Sequence, residues 1–130
     1  MTERPALSKG EIEIARALWD LKHATVREVF DSFPKSRGID FTTVQTYLRR
    51  LEKKGYVNVK LDGRTRVYSA RVKPRTVIRE TVDDLVDRLF AGETLPLMQH
   101  LIEDRNISQQ EINTLKALLE QLTEDRNESK

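Results

Sequence analysis

Three Ser/Thr-x-x-Glu quartets, Ser8-Lys9-Gly10-Glu11, Thr25-Val26-Arg27-Glu28 and Ser108-Gln109-Gln110-Glu111, fix where helices begin, and few features restrict a fold more. Each matches a capping box, in which the hydroxyl accepts an orphan backbone N–H and the glutamate accepts the cap residue's own amide. Behind each box, apolar residues recur at helical spacing. Ile12, Ala15, Leu18 and Trp19 share one face of a helix ending near Leu21, with Trp19 expected as its core anchor. Val26, Val29, Phe30 and Phe33 line a short helix, with Phe30 as anchor and Pro34 as its stop. Ile112, Leu115, Leu118, Leu119 and Leu122 line the third, and residues 123–130 are expected to fray.

Between these boxes the punctuation is equally explicit. Asp40 is placed to cap a helix over residues 41–54, and Gly55 stands at the left-handed position that ends it. Residues 56–61 alternate, Asp62-Gly63 signals a type I′ turn, and residues 64–70 return as the second strand. A long helix from Pro74 to Phe90 carries Val77, Ile78, Val82, Leu85, Val86 and Leu89, and Ala91-Gly92 stops it. A shorter helix follows over residues 96–104 with Leu97, Met98, Leu101 and Ile102 apolar. Three short helices and a hairpin are the winged helix-turn-helix order. The expected fold is mainly α with a small β-hairpin wing. A winged-helix domain occupies residues 1–73 and a helical dimerisation domain residues 74–130.

Charge divides at the same place. Residues 1–73 carry 16 Lys/Arg against 9 Asp/Glu, whereas residues 74–130 carry 7 against 12. A basic half facing a polyanion and an acidic half with another task account for this, as does simple unevenness of surface charge. Roughly 55 residues make a small independent core. The stripes Val82/Leu85/Val86/Leu89, Leu101 and Leu115/Leu118/Leu119/Leu122 are therefore expected to pair with a second copy. Packing back on the first domain is the alternative.

The third helix carries the chemistry. On a helical wheel Val44, Leu48 and Leu51 fall together with Tyr47 on their flank, and Thr42, Thr46, Arg49, Arg50 and Lys53 occupy the opposite arc. Thr42, Thr43 and Thr46 suit base edges or thymine methyls, and Arg49 and Arg50 suit guanine or phosphate. Lys53 and Lys54 suit phosphates. In the wing, Lys60, Arg64 and Arg66 are expected to cluster at the tip, against the backbone or a minor groove. The same charges also protect an exposed strand edge. Arg27 is read either as a phosphate contact or as a solvated side chain.

Other classes fare poorly. With no cysteine, disulfides, thiolate metal sites and cysteine nucleophiles are excluded. His23 and His100 are the two histidines and lie in different halves; Asp83, Asp84 and Asp87 read as a solvated face. No motif asks for a metal or cofactor, and no enzyme constellation assembles. No apolar run is long enough to span a bilayer, and the first eleven residues hold no secretory signal. The expectation is a soluble, cytoplasmic protein without membrane insertion.

Leu7-Ser8-x-x-Glu11, Ala17-Leu18-Trp19, Thr25-Val26-Arg27-Glu28-Val29, Thr42-Thr43-Val44-Gln45-Thr46 and Arg50-Leu51-Glu52-Lys53-Lys54-Gly55 together resemble the penicillinase-repressor (BlaI/MecI) family. The resemblance continues through Gly63-Arg64, Tyr68, Asp87-Arg88-Leu89-Phe90-x-Gly92 and residues 101–119, covering roughly residues 7–122. It implies a homodimeric winged-helix transcriptional repressor of palindromic double-stranded operators. By matching position, Thr42, Thr43, Thr46 and Arg50 would read the operator. It also implies a membrane sensor-linked protease pathway that cleaves an Asn-Phe bond. That bond aligns with His100-Leu101 here, a departure from the family pattern. The paired cysteines of the copper-responsive branch are absent. The competing reading is a winged-helix module that binds protein, since the fold serves both purposes. An outward Thr/Arg/Lys arc favours DNA, where a protein-binding face would expose apolar anchors.

Overall fold

All three capping boxes are formed in the computed structural model, which describes residues 4–128. Helix α1 (Lys9–Leu21) starts where Ser8 Oγ accepts from Glu11 N at 3.2 Å and Glu11 Oε1 accepts from Ser8 N at 2.8 Å. Helix α2 (Val26–Asp31) starts on the equivalent pair between Thr25 and Glu28. A 3₁₀ turn (Lys35–Arg37) follows, tied to α1 by two Arg37–Glu13 hydrogen bonds of 2.6 Å. Helix α3 spans Phe41–Lys53; Asp40 precedes it in extended backbone, but its side chain makes no capping hydrogen bond. The end of α3 is a Schellman motif: Tyr56 N donates to Leu51 O at 2.9 Å, Gly55 N to Glu52 O at 3.0 Å, and Gly55 has φ +88°.

The sheet holds one strand more than the sequence announces. The two-residue strand β1 (His23–Ala24) pairs with β3 (Thr65–Ala70), which pairs in turn with β2 (Val57–Asp62), all antiparallel. Because Asp62 pairs with Thr65, the turn residues are Gly63 and Arg64, not Asp62 and Gly63. Only Gly63 has positive φ (+65°), which fits a type II′ turn in place of the expected type I′.

The core gathers Ile14 and Leu18 from α1, Ala24 from β1, Val29 from α2, Val44, Leu48 and Leu51 from α3, and Val57 and Tyr68 from the sheet. Trp19 and Phe30, expected as anchors, are only partly buried at its rim. Ile14 and Leu18, four residues apart, already fill the inward face of α1, and Trp19 is turned 100° from Leu18.

That inward face also holds Glu11, 1% exposed. Its Oε1 accepts from Lys54 Nζ at 2.6 Å, and Lys54 also donates to Ala6 O at 2.9 Å. Lys54, read from the sequence as a phosphate contact, is instead an internal tie between α3 and α1. The segment before α1 is fastened alongside: Tyr56 Oη donates to Pro5 O at 2.7 Å, and Arg4 lies over the Tyr56 ring and pairs with Glu80 at 2.7 Å.

Helices α4 (Pro74–Phe90), α5 (Thr94–Asp104) and α6 (Gln109–Glu128) complete the chain. It divides into two compact units, Met1–Thr81 and Val82–Lys130. The expected fraying over residues 123–130 is not found as far as Glu128. Thr123 Oγ1 donates to Leu119 O at 2.9 Å and Gln121 Nε2 to Asp125 Oδ1 at 3.0 Å, continuing the helix. Residues 129 and 130 lie outside the described residues.

Burial pushes the Glu11 carboxyl up, but the Lys54 ammonium and the Ser8 amide and hydroxyl outweigh it and hold the group below the ordinary glutamate value. A depressed carboxyl pKa contributes stability above the unfolded-state value and loses it as pH falls through the folded-state value. Lys54→Met is therefore expected to cost about 1–3 kcal/mol at neutral pH. The gap to the parent chain should narrow as pH falls from neutral through the folded-state value of the Glu11 carboxyl, where the ion pair is lost. Urea unfolding curves across an acid pH series measure it.

Candidate nucleic-acid interface

Val44, Leu48 and Leu51 are fully buried against α1 and α2, and this seat decides what α3 shows to solvent. Thr42, Thr46, Arg49, Arg50 and Lys53 are exposed on the far side, and Thr43 is half-buried at its edge. Arg49, Arg50 and Lys53 form no ion pair among the described residues. The one acidic residue of α3, Glu52, approaches Arg66 of β3 at 3.8 Å. The outward arc is thus a strip of uncompensated positive charge with hydroxyls toward its N-terminal end.

Local bonds refine what each side chain can do. Thr46 Oγ1 donates to Thr42 O at 2.9 Å, so its proton is committed to the helix. It presents a methyl group and lone pairs, which suit a thymine methyl or an exocyclic amine donor. Arg50 lies over the Tyr47 ring at 5.5 Å from its centroid. Arg27 is exposed, and its guanidinium sits 4.6 Å from the Phe41 ring centre and 5.7 Å from that of Phe30. These two rings meet edge to face at 5.7 Å. No periodicity could reveal this stack, which joins the start of α3 to α2.

In the wing, the register corrects the expected cluster. Lys60 pairs with Val67 and Leu61 with Arg66, so Lys60 and Arg66 project from opposite faces of the hairpin. Arg66 shares its face with Leu61, Val59 and Tyr68, and Arg64 sits in the turn. Lys60, Arg64 and Arg66 are all exposed. Leu61, unremarked in the sequence reading, is 65% exposed beside Arg66.

In the second unit, Val82, Leu85, Leu89, Leu101, Leu115, Leu118, Leu119 and Leu122 are exposed, Leu89 by 70%. Val86, grouped with them from its spacing, is only 8% exposed in the single chain. His100 and Leu101 lie within α5, and His100 Nδ1 is 2.8 Å from Asp104 Oδ2. Asp83, Asp84 and Asp87 are exposed, with Asp84 bonded to Arg88. Among the described residues, no carboxylate or imidazole cluster has the arrangement of a metal site, and no helix is long and apolar enough to cross a membrane.

A family model of penicillinase repressors matches residues 7–121. The chain is 28% identical over 121 residues to the penicillinase repressor of Bacillus licheniformis, covering 93% of this chain and 94% of that one. It is 25% identical over 113 residues to the methicillin resistance regulatory protein MecI of Mammaliicoccus sciuri, covering 87% and 92%. The solution structure of the DNA-binding domain of the repressor BlaI superposes with a TM-score of 0.50 at 31% identity. That match covers 57% of this chain and 90% of that one.

The paired and unpaired wing cations should separate in a salt titration. Arg64→Ala is expected to weaken binding to random-sequence duplex and to reduce the salt slope by about 1. Arg66→Ala, with its charge shared with Glu52, should reduce it by less. Fluorescence anisotropy between about 50 and 200 mM salt reads both.

Proposed function

This chain belongs to the penicillinase repressor family, and from that premise we propose that it is a homodimeric, DNA-binding transcriptional repressor of palindromic operators. The observation that carries the reading is the outward arc of α3, where Arg49, Arg50 and Lys53 are exposed and unpaired beside Thr42 and Thr46. A buried apolar seat fixes the backbone of this helix, so its cations are offered to a polyanion from one set face. Thr42, Thr43, Thr46 and Arg50 read base edges in a major groove; Arg49 and Lys53 bind base or phosphate. Lys60, Arg64 and Arg66 hold the flanking backbone from the wing. A protein-binding role finds less support, because this arc presents no large apolar side chain.

One module contacts one half-site, and choosing one operator in a genome requires two at fixed spacing. We assign the first task to residues 1–73 and the pairing to residues 74–130, through the exposed Val82, Leu85, Leu89, Leu101, Leu115, Leu118, Leu119 and Leu122. Half-sites about one helical turn apart, roughly 34 Å, or a multiple of it, follow from two-fold symmetry. A DNA target supports a location in the bacterial cytoplasm. Release through a membrane sensor-linked protease would have to act on a chain with His100-Leu101 at the aligned bond, inside a formed helix.

Binding to the gene's own promoter should exceed binding to random duplex, and equal affinities would refute the repressor reading. Arg50→Ala should cut this discrimination by about 1–3 kcal/mol while leaving non-specific binding largely intact. Leu118→Asp should shift the protein toward monomer in sedimentation velocity, since an unpaired carboxylate in an apolar interface costs several kcal/mol. A dimer unchanged by that substitution would place the pairing surface elsewhere.

A further inference from the structure

Tyr47 occupies the boundary between the buried and outward faces of α3, and both ends of its side chain are accounted for. The hydroxyl end of the ring rests on the backbone of α1 at Gly10. A Cβ added there would lie 2.5 Å from Tyr47 Cζ, 2.6 Å from its Oη and 2.9 Å from Cε2. Glycine in the first turn of a helix weakens that helix relative to alanine, and here the missing methyl is the space the ring uses. The Arg50 guanidinium, one turn along α3, lies over the ring at 5.5 Å from the centroid.

An arginine that reads guanine must bring its planar fork to two acceptors at once, and a free arginine side chain has many rotamers to lose. A ring fixed on α1 narrows that choice before any DNA arrives. We propose that Tyr47 is a positioning residue for Arg50, with Gly10 as its seat, so that the discrimination carried by Arg50 depends on a contact between α1 and α3. Sequence spacing alone places Tyr47 with the core residues; its contribution to the outward face comes through Arg50. The proposal rests on the DNA-reading function assigned above.

The test compares the full chain with Tyr47→Phe, Tyr47→Leu, Gly10→Ala, Arg50→Ala and the Tyr47→Leu/Arg50→Ala pair. Each is titrated by anisotropy against the gene's promoter and against random duplex, with circular dichroism and thermal melts recording the fold. Tyr47→Phe keeps the ring and should keep the discrimination. Tyr47→Leu should lose about two- to fivefold of it, the strength of an exposed cation–π contact. Adding Tyr47→Leu to Arg50→Ala should cost nothing further, because the positioned group is gone. Gly10→Ala should behave as Tyr47→Leu; should it fail to fold, the tyrosine series and the double variant still decide. Full discrimination in Tyr47→Leu, or a loss that adds undiminished to that of Arg50→Ala, would overturn the positioning role. A parent chain that bound both duplexes equally would instead overturn the DNA-reading function, and the positioning role with it.

Discussion

A single carboxylate, that of Glu11, joins the start of α1 to the end of α3. It completes the Ser8 capping box and accepts from Lys54 at 2.6 Å while almost wholly buried. Removing a charge from water is costly unless it is paired and hydrogen-bonded, and here both conditions are met. The Schellman motif at Gly55 then turns the chain into β2, so the angle between α3 and the wing is set within a few residues of the same ion pair. Presentation of the outward arc of α3 depends on this junction and on the apolar seat of Val44, Leu48 and Leu51.

The cations of the first unit serve two purposes, and the structure separates them. Arg4, Arg37 and Lys54 are paired with Glu80, Glu13 and Glu11. These hold segments together. Arg49, Arg50, Lys53, Lys60 and Arg64 form no ion pair among the described residues, so their charge is available to a partner. Net charge alone would count both sets alike. The field that steers a polyanion comes from the unpaired set, and its position on α3 and the wing gives it direction.

Much of this was legible in local patterns. The capping boxes, the stop at Gly55, the helix from Pro74 to Phe90 and the buried stripe of α3 are all determined by neighbours within four residues, where backbone geometry and periodicity act directly. The family was legible for the same reason: its motifs are short local signals in a fixed order, and the family match over residues 7–121 agrees with them. The division between inward and outward faces of α3 needed only the 100° turn per residue.

What the tertiary structure alone decided involves residues far apart in sequence. Whether Lys54 meets a phosphate or Glu11, 43 positions away, depends on how α1 crosses α3. Arg27 lies over Phe41 only because α2 and α3 pack together, and β1 exists only because β3 passes beside it. Lys60 and Arg66 are parted by the strand register, in which a displacement of one residue reverses a side chain's face. Sequence specified which side chains were available and where helices began. Long-range packing selected which charges were used up inside the fold, because a salt bridge, a stack or a strand pair requires two distant segments to be brought within a few ångströms.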